Sequence, residues 1–393
     1  MTGPPPHAIE EIAPFQVDIA PEILADLGKR LTLARWPGIE GPSGRMGIDR
    51  GFMQRMVEYW RTRFDWGERQ RSLNRAHHYR ALIDGRAIHF VHERGVGPAP
   101  LPLLITHGWP GSFVEMLEII PLLTDPGSHG GDPADAFDVV VPSLPGFAFS
   151  DDLPGRLDVA RISDLWNALM VALGYPAFGA QGGDWGASIS TQLGLRHPDS
   201  VLGIHLNYIP GAYTPFFGQG ARPPSPEEDR FLSERQRWFT THGAYAHAQA
   251  TRPLTLAYGL SDSPIGLAAW IIEKFREWSD CGGGVERAFT LDALLTNVMI
   301  YWATGTAGSS MRLYAESPPE LLHFGPGERV PAPCAVTRCP FEAPFPPREL
   351  VERCYDVRQW TELPRGGHFA AMEEPALLAD DIRRFFRSVR RGR

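Results

Sequence analysis

The chain has 393 residues, of which 43% are hydrophobic and 21% are charged, an ordinary globular balance with room for two or three packed units. Its formal net charge of -8 argues against nucleic acid as the main partner. The four cysteines form no C-x-x-C pair, the first residues lack the regions of a secretion signal, and no apolar run reaches the ~20 residues that span a bilayer. We therefore expect a cytoplasmic protein without a membrane anchor.

The first segment, residues 1–85, is predicted to be mainly helical. Apolar residues recur near helical spacing over 19–35 and 51–64. Asp84-Gly85 lies between two strand-like runs and predicts a hairpin turn. At the other end of the chain, six arginines between 383 and 393 predict a solvated last helix with a frayed tail.

Strands then alternate with helices over residues 86–210, the second predicted segment. Strands are predicted at 101–108, 137–146, 176–182 and 201–208, and helices at 158–173 and 187–197. Such alternation implies a mostly parallel sheet that is covered on both faces.

A mostly helical stretch interrupts this alternation at residues 211–323, the third predicted segment. Strands return at 330–337 and 355–360, and a last helix begins near Pro375, within the fourth segment, 324–393. The sequence therefore predicts an α/β core in two parts, with a helical cap inserted between them and an N-terminal helical extension.

The clearest chemical signal is the run GGDWG at 182–186, which follows a predicted strand and precedes a predicted helix. Small residues two positions either side of a central residue are typical of a nucleophile elbow, a sharp turn that projects the central side chain at the end of the sheet. That residue is Asp184, whose carboxylate needs no base to attack an electrophilic carbon, and the helix N-terminus favours its charge. The pattern also fits an ordinary aspartate N-cap.

A histidine and an acid should follow the elbow residue along the chain. Of the thirteen histidines, His368 occupies the expected place between the last strand and the last helix. The acid is expected after the strand at 330–337, where Glu342 fits best. Three alternatives remain open for the acid: Glu349, Glu352 and Asp356.

The loop HGWPGS at 107–112 directly follows a predicted strand. In elbow enzymes this loop supplies one N–H of the oxyanion hole, and the residue after the nucleophile supplies the other. We therefore expect the backbone amides of Trp109 and Trp185 to form the oxyanion hole, and their indoles to line the pocket. His107 is expected to be structural.

Long stretches of the chain resemble the microsomal-type epoxide hydrolases, which have the α/β-hydrolase fold and an N-terminal epoxide-hydrolase domain. The resemblance covers nearly the whole chain. The stretches that carry it are HGWPGS (107–112), GGDWG (182–186), YGLSDSPIGLAAWIIEKF (258–275), LLTNVMIYWATGTAGSSMRLY (294–314) and RGGHFAAMEEP (366–376). It implies hydrolysis of an epoxide to a vicinal diol through a glycol ester on Asp184, with water as second substrate and no metal or organic cofactor.

The resemblance also implies residue roles that composition would not reveal. Tyr245 and Tyr314 match the two cap tyrosines that hold the epoxide oxygen, and Glu342 matches the acid. The family usually has Pro-Thr-Gly on the preceding strand, where this chain has Cys334 and Ala335 after the proline, but the following Pro-x-Glu is retained. The membrane anchor of the animal relatives is not carried over.

Two other functions stay open at this point. A haloalkane dehalogenase-like hydrolase also uses an aspartate, a histidine and an acid, although it needs halide-binding N–H groups where this chain has two tyrosines. A non-catalytic binding protein could also retain the fold. A homo-oligomer is one option for the assembly. Five cap aromatics either bind an apolar substrate or form cap core: Phe216, Phe217, Trp238, Phe239 and Trp302.

Overall fold

The computed structural model describes residues 7, 9–39 and 46–391, and a nine-stranded sheet runs through it. The strands are β1 (Ile9–Phe15), β2 (His78–Ile83), β3 (Arg86–Glu93), β4 (Leu101–Thr106), β5 (Phe137–Pro142), β6 (Phe178–Gly182), β7 (Val201–Leu206), β8 (Val330–Arg338) and β9 (Tyr355–Glu362). Their order is β1-β2-β3-β5-β4-β6-β7-β8-β9. Strands β1, β2, β3 and β5 pair antiparallel, and the pairs from β5 through β9 are parallel.

Helices pack on the sheet and form the cap. They are α1 (Pro21–Thr32), α2 (Arg50–Thr62), α3 (Trp66–Leu73), α4 (Ile120–Thr124), α5 (Val159–Ala172), α6 (Asp184–Arg196), α7 (Pro226–His242), α8 (Ala244–Thr251), α9 (Pro253–Asp262), α10 (Pro264–Trp278), α11 (Leu291–Thr304), α12 (Arg312–Glu316), α13 (Arg348–Val351), α14 (Ala370–Glu373) and α15 (Pro375–Arg391). Every side chain of β5 is buried, as expected of a strand between two helical layers. The predicted fold class is confirmed. Within the described ranges, no helix is long and apolar enough to cross a bilayer.

The cap consists of α7 to α12, inserted between β7 and β8. Its first helix begins at a capping box, in which the side chains of Ser225 and Glu228 each accept a hydrogen bond from the other residue's backbone N–H. The Glu228 carboxylate is fully buried and pairs with Arg353 of the core at 2.7 Å and with Arg222 at 2.8 Å. These ion pairs tie the start of the cap to the core.

The N-terminal segment contains α1, α2 and α3, but it also contributes two strands to the sheet. The predicted hairpin turn at Asp84-Gly85 is confirmed, since Ile83 pairs with Arg86 and both turn residues have positive φ. Strand β1 was not predicted, because its sequence IEEIAPF does not alternate between apolar and polar residues. Pairing with β2 decides its conformation. The division of the chain into four segments therefore stays a proposal.

The prediction of a solvated last helix was wrong for several of its arginines. Arg387 forms an ion pair with the buried Asp135. Arg383 donates to the Leu122 carbonyl oxygen at 2.9 Å, and Arg390 donates to backbone carbonyl oxygens in the segments before β4 and β5. These contacts fasten α15 to the segments around the starts of β4 and β5. The Arg391 side chain and Arg393 lie outside the described residues.

Candidate active site

The predicted elbow joins β6 to α6, and Asp184 is the first residue of that helix. Asp184 has φ 47, a left-handed conformation that is strained for a residue with a side chain. A Cβ at Gly182 would collide with the Gly186 backbone, and one at Gly186 would collide with the Thr106 carbonyl oxygen. The turn therefore requires small residues at both positions, as the motif predicted.

The loop after β4 reaches the elbow because β4 and β6 are parallel neighbours in the sheet. The backbone N–H of Trp109 donates a hydrogen bond of 2.8 Å to Oδ1 of Asp184. This is the place where the amide was expected. Trp185 follows Asp184 in the first turn of α6, and its amide stays a prediction as the second donor.

His368 lies in the loop between β9 and α14. Its Nε2 is 3.5 Å from Oδ2 of Asp184, and its Nδ1 is 3.0 Å from Oε1 of Glu342. The backbone N–H of His368 donates to the carbonyl oxygen of Trp278 at 2.8 Å. Asp184, His368 and Glu342 therefore form a continuous chain of contacts at the carboxyl ends of the parallel strands.

Of the four acids that the sequence left open, the structure brings Glu342 to the imidazole. Its side chain is 1% exposed, and the Ala343 N–H donates to Oε1 at 2.8 Å. Each alternative has a different partner. Glu349 accepts from Ser225, Glu352 pairs with Arg348, and Asp356 pairs with Arg358.

Two carboxylates flank the imidazole of His368 and determine its charge. Burial acts to lower the pKa of His368, but Glu342 and Asp184 outweigh burial and raise that pKa well above its ordinary value. The imidazole therefore binds a proton more readily than an isolated histidine does.

The cap places two tyrosines over the elbow. Tyr245 lies on α8 and Tyr314 on α12, with ring centroids 6.0 Å apart. The Trp109 indole stacks on Tyr245 at 5.3 Å, and the Trp185 indole meets the Tyr314 ring edge-on at 4.8 Å. Burial and then Asp184 raise the pKa of Tyr245, and burial is also the main reason that the pKa of Tyr314 is raised. Both phenols are therefore protonated near neutral pH.

Three residues that the sequence analysis did not single out also contact the site. The Trp278 ring lies 5.0 Å from the His368 ring and 5.2 Å from the Tyr245 ring. The Lys274 ammonium lies 4.7 Å above the Tyr245 ring. Glu115 lines the cavity beside Asp184. Two sequence features could have pointed to these residues. Lys274 lies within the stretch 258–275, and Glu115 is a charged residue in the apolar run that follows HGWPGS.

A cavity of about 20 Å³ lies beside Asp184 and His368. Its polar lining residues are His107, Glu115, Gln181, Asp184, Asn207 and His368. The aromatic rings around the site include those of Trp109, Trp185, Tyr245, Trp278 and Tyr314. The rings of Tyr208 and Phe369 lie 5.7 Å and 5.1 Å from the His368 ring. The five cap aromatics considered from sequence do not line this cavity, and Phe217 and Phe239 are exposed.

His107 has a structural role, as expected. The Leu144 N–H donates to its Nε2 at 3.2 Å, and its Nδ1 lies 3.0 Å from the carbonyl oxygen of Gly108. Burial lowers the pKa of His107 to about 4. The neutral ring therefore joins the loop after β4 to the loop after β5.

Comparison with known proteins identifies the family. The profile of the epoxide hydrolase N terminus matches residues 12–116, and that of the alpha/beta hydrolase fold matches residues 102–212. A bacterial relative from Stigmatella aurantiaca is 44% identical over 386 residues, which cover 96% of this chain and 86% of its own length. Epoxide hydrolase 1 of Oryctolagus cuniculus is 38% identical over 409 residues, with 97% and 90% covered. The chain belongs to the epoxide hydrolase family.

Solved structures of family members agree in fold over the full length. The epoxide hydrolase of Aspergillus niger superimposes with a TM-score of 0.84 at 30% identity and covers 97% of each chain. Juvenile hormone epoxide hydrolase from Bombyx mori superimposes with a TM-score of 0.85 at 30% identity, covering 98% of this chain and 96% of its own. This epoxide hydrolase therefore shares the core, the cap and the N-terminal segment with both enzymes.

Proposed function

We propose that this epoxide hydrolase converts a small apolar epoxide and water to a vicinal diol through a covalent ester on Asp184. The observation that carries the proposal is one site in which an elbow carboxylate, a histidine–glutamate pair and two buried phenols converge. A halide leaving group needs N–H donors and no proton. An alkoxide needs a proton, and a protonated phenol supplies one.

Ring opening is the first half of the reaction. An Asp184 oxygen attacks an epoxide carbon, and the bond between that carbon and the ring oxygen breaks. Tyr245 and Tyr314 donate hydrogen bonds to the departing oxygen, and one of them transfers its proton. The product is a glycol monoester of Asp184, with one tyrosine left as phenolate.

Ester hydrolysis is the second half. His368 takes a proton from water, and the hydroxide attacks the ester carbonyl carbon of Asp184. The Trp109 amide, which donates to an Asp184 oxygen in the resting site, stabilises the oxyanion together with the Trp185 amide. The C–O bond to the glycol breaks, the glycol oxygen takes the proton from His368, and the proton of the new carboxyl group restores the phenol.

The change of charge on Asp184 prepares His368 for this second role. In the resting site, Asp184 and Glu342 both raise the pKa of His368. Ester formation neutralises Asp184, so one of these influences is removed and the pKa of His368 falls. The imidazole then releases its proton to solvent and acts as a base while the ester is present, and it regains a proton when the Asp184 carboxylate re-forms.

A single turnover in heavy-oxygen water tests the covalent route. Enzyme in excess is mixed with styrene oxide, and the diol and the peptide that contains Asp184 are analysed by mass spectrometry. If Asp184 attacks first, the oxygen added to the diol comes from its carboxylate. The first diol should be unlabelled, and the peptide should gain one heavy oxygen.

Direct hydration of the epoxide gives the opposite pattern. A fully labelled first diol with an unlabelled peptide would exclude the ester and leave Asp184 at most a general base. Halide release from a haloalkane, measured in parallel, would instead favour the dehalogenase function.

A further inference from the structure

Glu115 is a buried carboxyl group that the reaction described above does not use. It lies in the short turn Phe113–Met116, directly after the loop that carries Trp109, and is 8% exposed. Its backbone N–H donates to the carbonyl oxygen of Ser112 at 3.0 Å. A buried carboxyl group is costly unless it has polar partners, so its position calls for a role.

The carboxyl group lies beside Gly111 and lines the same cavity as Asp184 and His368, and it accepts a hydrogen bond from the Ser112 backbone N–H. A Cβ at Gly111 would collide with Oε1 of Glu115, so the absence of a side chain there makes room for the carboxyl group. Burial raises the pKa of Glu115 to about 8, His368 acts to lower it, and Asp184 acts to raise it further. Glu115 is therefore close enough to both residues to respond to their charges.

The shared cavity can hold water and has a polar lining. Its volume is about 20 Å³, and a buried water molecule needs two to four polar partners. Glu115, His368 and Asn207 all line it. The side-chain N–H of Gln181 donates to Oδ1 of Asn207 at 2.7 Å. This hydrogen bond fixes the orientation of the Asn207 amide group.

We infer that Glu115 holds the water molecule that hydrolyses the ester on Asp184. One O–H of this water donates to the Glu115 carboxyl group, which offers an acceptor oxygen whether or not it is protonated. The other O–H then points at Nε2 of His368, and the water oxygen faces the ester carbonyl carbon. This inference rests on the function proposed above. It assigns a binding position to water, the second substrate of that reaction.

The test separates the two half-reactions in variants of Glu115. Glu115→Met removes the acceptor, and Glu115→Gln keeps the size with a neutral amide. Glu118→Gln is the matched control, because Glu118 lies three residues further on and is exposed. Each protein is mixed in excess with styrene oxide and quenched at successive times, and intact mass gives the amounts of free and esterified enzyme.

We expect ester formation within twofold of wild type in all three variants. Ester hydrolysis should slow about tenfold in Glu115→Met and about threefold in Glu115→Gln, in keeping with the loss or weakening of one hydrogen bond to a reacting group. In the steady state, kcat and KM should fall together, because the ester accumulates. Glu118→Gln should hydrolyse the ester at the wild-type rate.

Two outcomes overturn the inference alone. The first is ester hydrolysis within twofold of wild type in both Glu115 variants. The second is equal slowing of both half-reactions, which would indicate a structural effect through the Trp109 loop. If the methionine variant does not fold, the glutamine variant decides by the same criteria. A failure of His368→Gln to form any adduct would overturn the proposed function, and this inference with it.

Discussion

The backbone amide of Trp109 donates a 2.8 Å hydrogen bond to Oδ1 of Asp184, across 75 positions of the chain. This bond orients the carboxylate, whose other oxygen lies 3.5 Å from His368. In the proposed mechanism, an oxygen of the same carboxyl group remains beside the amide after ester formation. One donor can therefore serve both the resting nucleophile and the oxyanion.

Asp184→Ala should abolish diol formation while the protein stays folded. Alanine has no nucleophilic atom, and neither His368 nor Glu342 can replace the missing oxygen. Product is measured with styrene oxide, and thermal unfolding is followed by circular dichroism. Asp199→Ala, at an exposed position after α6, is the control. Retention of more than a few percent of the activity in a folded Asp184→Ala protein would refute the assignment.

His368→Gln should open one epoxide per active site and then stall. Ester formation needs only Asp184 and the phenols, whereas ester hydrolysis needs a base, which typically contributes ~10²–10⁴-fold. Intact mass after mixing with styrene oxide should show one adduct per chain, and Asp184→Ala in the same background should show none. An unmodified mass, with substrate binding demonstrated separately, would contradict this role.

Tyr245→Phe and Tyr314→Phe should each slow ring opening, and the double variant should nearly stop it. Either phenol can still donate when the other is lost, so we expect about tenfold for each single change and a much larger loss for both, within the range of acid catalysis. Single-turnover ester formation is the measurement. Tyr258→Phe, at a position 74% exposed in the cap, should leave the rate unchanged. A normal rate in the double variant would place the acid elsewhere.

Glu228→Gln should destabilise the protein at neutral pH. Burial acts to raise the pKa of Glu228, but hydrogen bonds from Arg353, the Ser225 amide and Arg222 outweigh it and lower that pKa to about 2. Loss of one partner of a buried ion pair costs ~3–5 kcal/mol. Urea unfolding at pH 7 should show a decrease in the free energy of unfolding of this size, and Glu227→Gln, at the exposed neighbouring position, should show little change.

The same ion pairs should lose their effect in acid. Because the pKa of Glu228 is lower in the folded state than its ordinary value of 4.5, its stabilising contribution is complete above pH 4.5 and declines as the pH falls toward 2. The difference in stability between wild type and Glu228→Gln should therefore narrow over this range. A difference that stays constant from pH 7 to pH 3 would show that the lost stability does not come from the charge.

Local features of this protein could be predicted from sequence because they depend on neighbouring residues. The elbow requires glycine at 182 and 186 around Asp184, and a short apolar run between turns already specifies a buried strand. The order of nucleophile, acid and histidine follows from the order of strands in the fold. For the cap tyrosines, only resemblance to a family singled out Tyr245 and Tyr314, since nothing in their local sequence separates them from the other tyrosines.

Contacts between distant parts of the chain were decided only by the tertiary structure. Among four candidate acids after β8, the sequence favoured Glu342 without excluding the others, and Glu342 differs from the other three because the loop after β9 brings His368 to it. Strand β1 has no strand-like pattern of its own and forms by pairing with β2. The local sequence does not show that Glu115 is buried. In the folded protein, the missing side chain at Gly111 and the neighbouring Asp184 place Glu115 beside the active site. The burial and charge of these side chains depend on residues that are far apart in the chain. The sequence by itself therefore determined the local turns and strands, and only the folded structure determined which side chains meet.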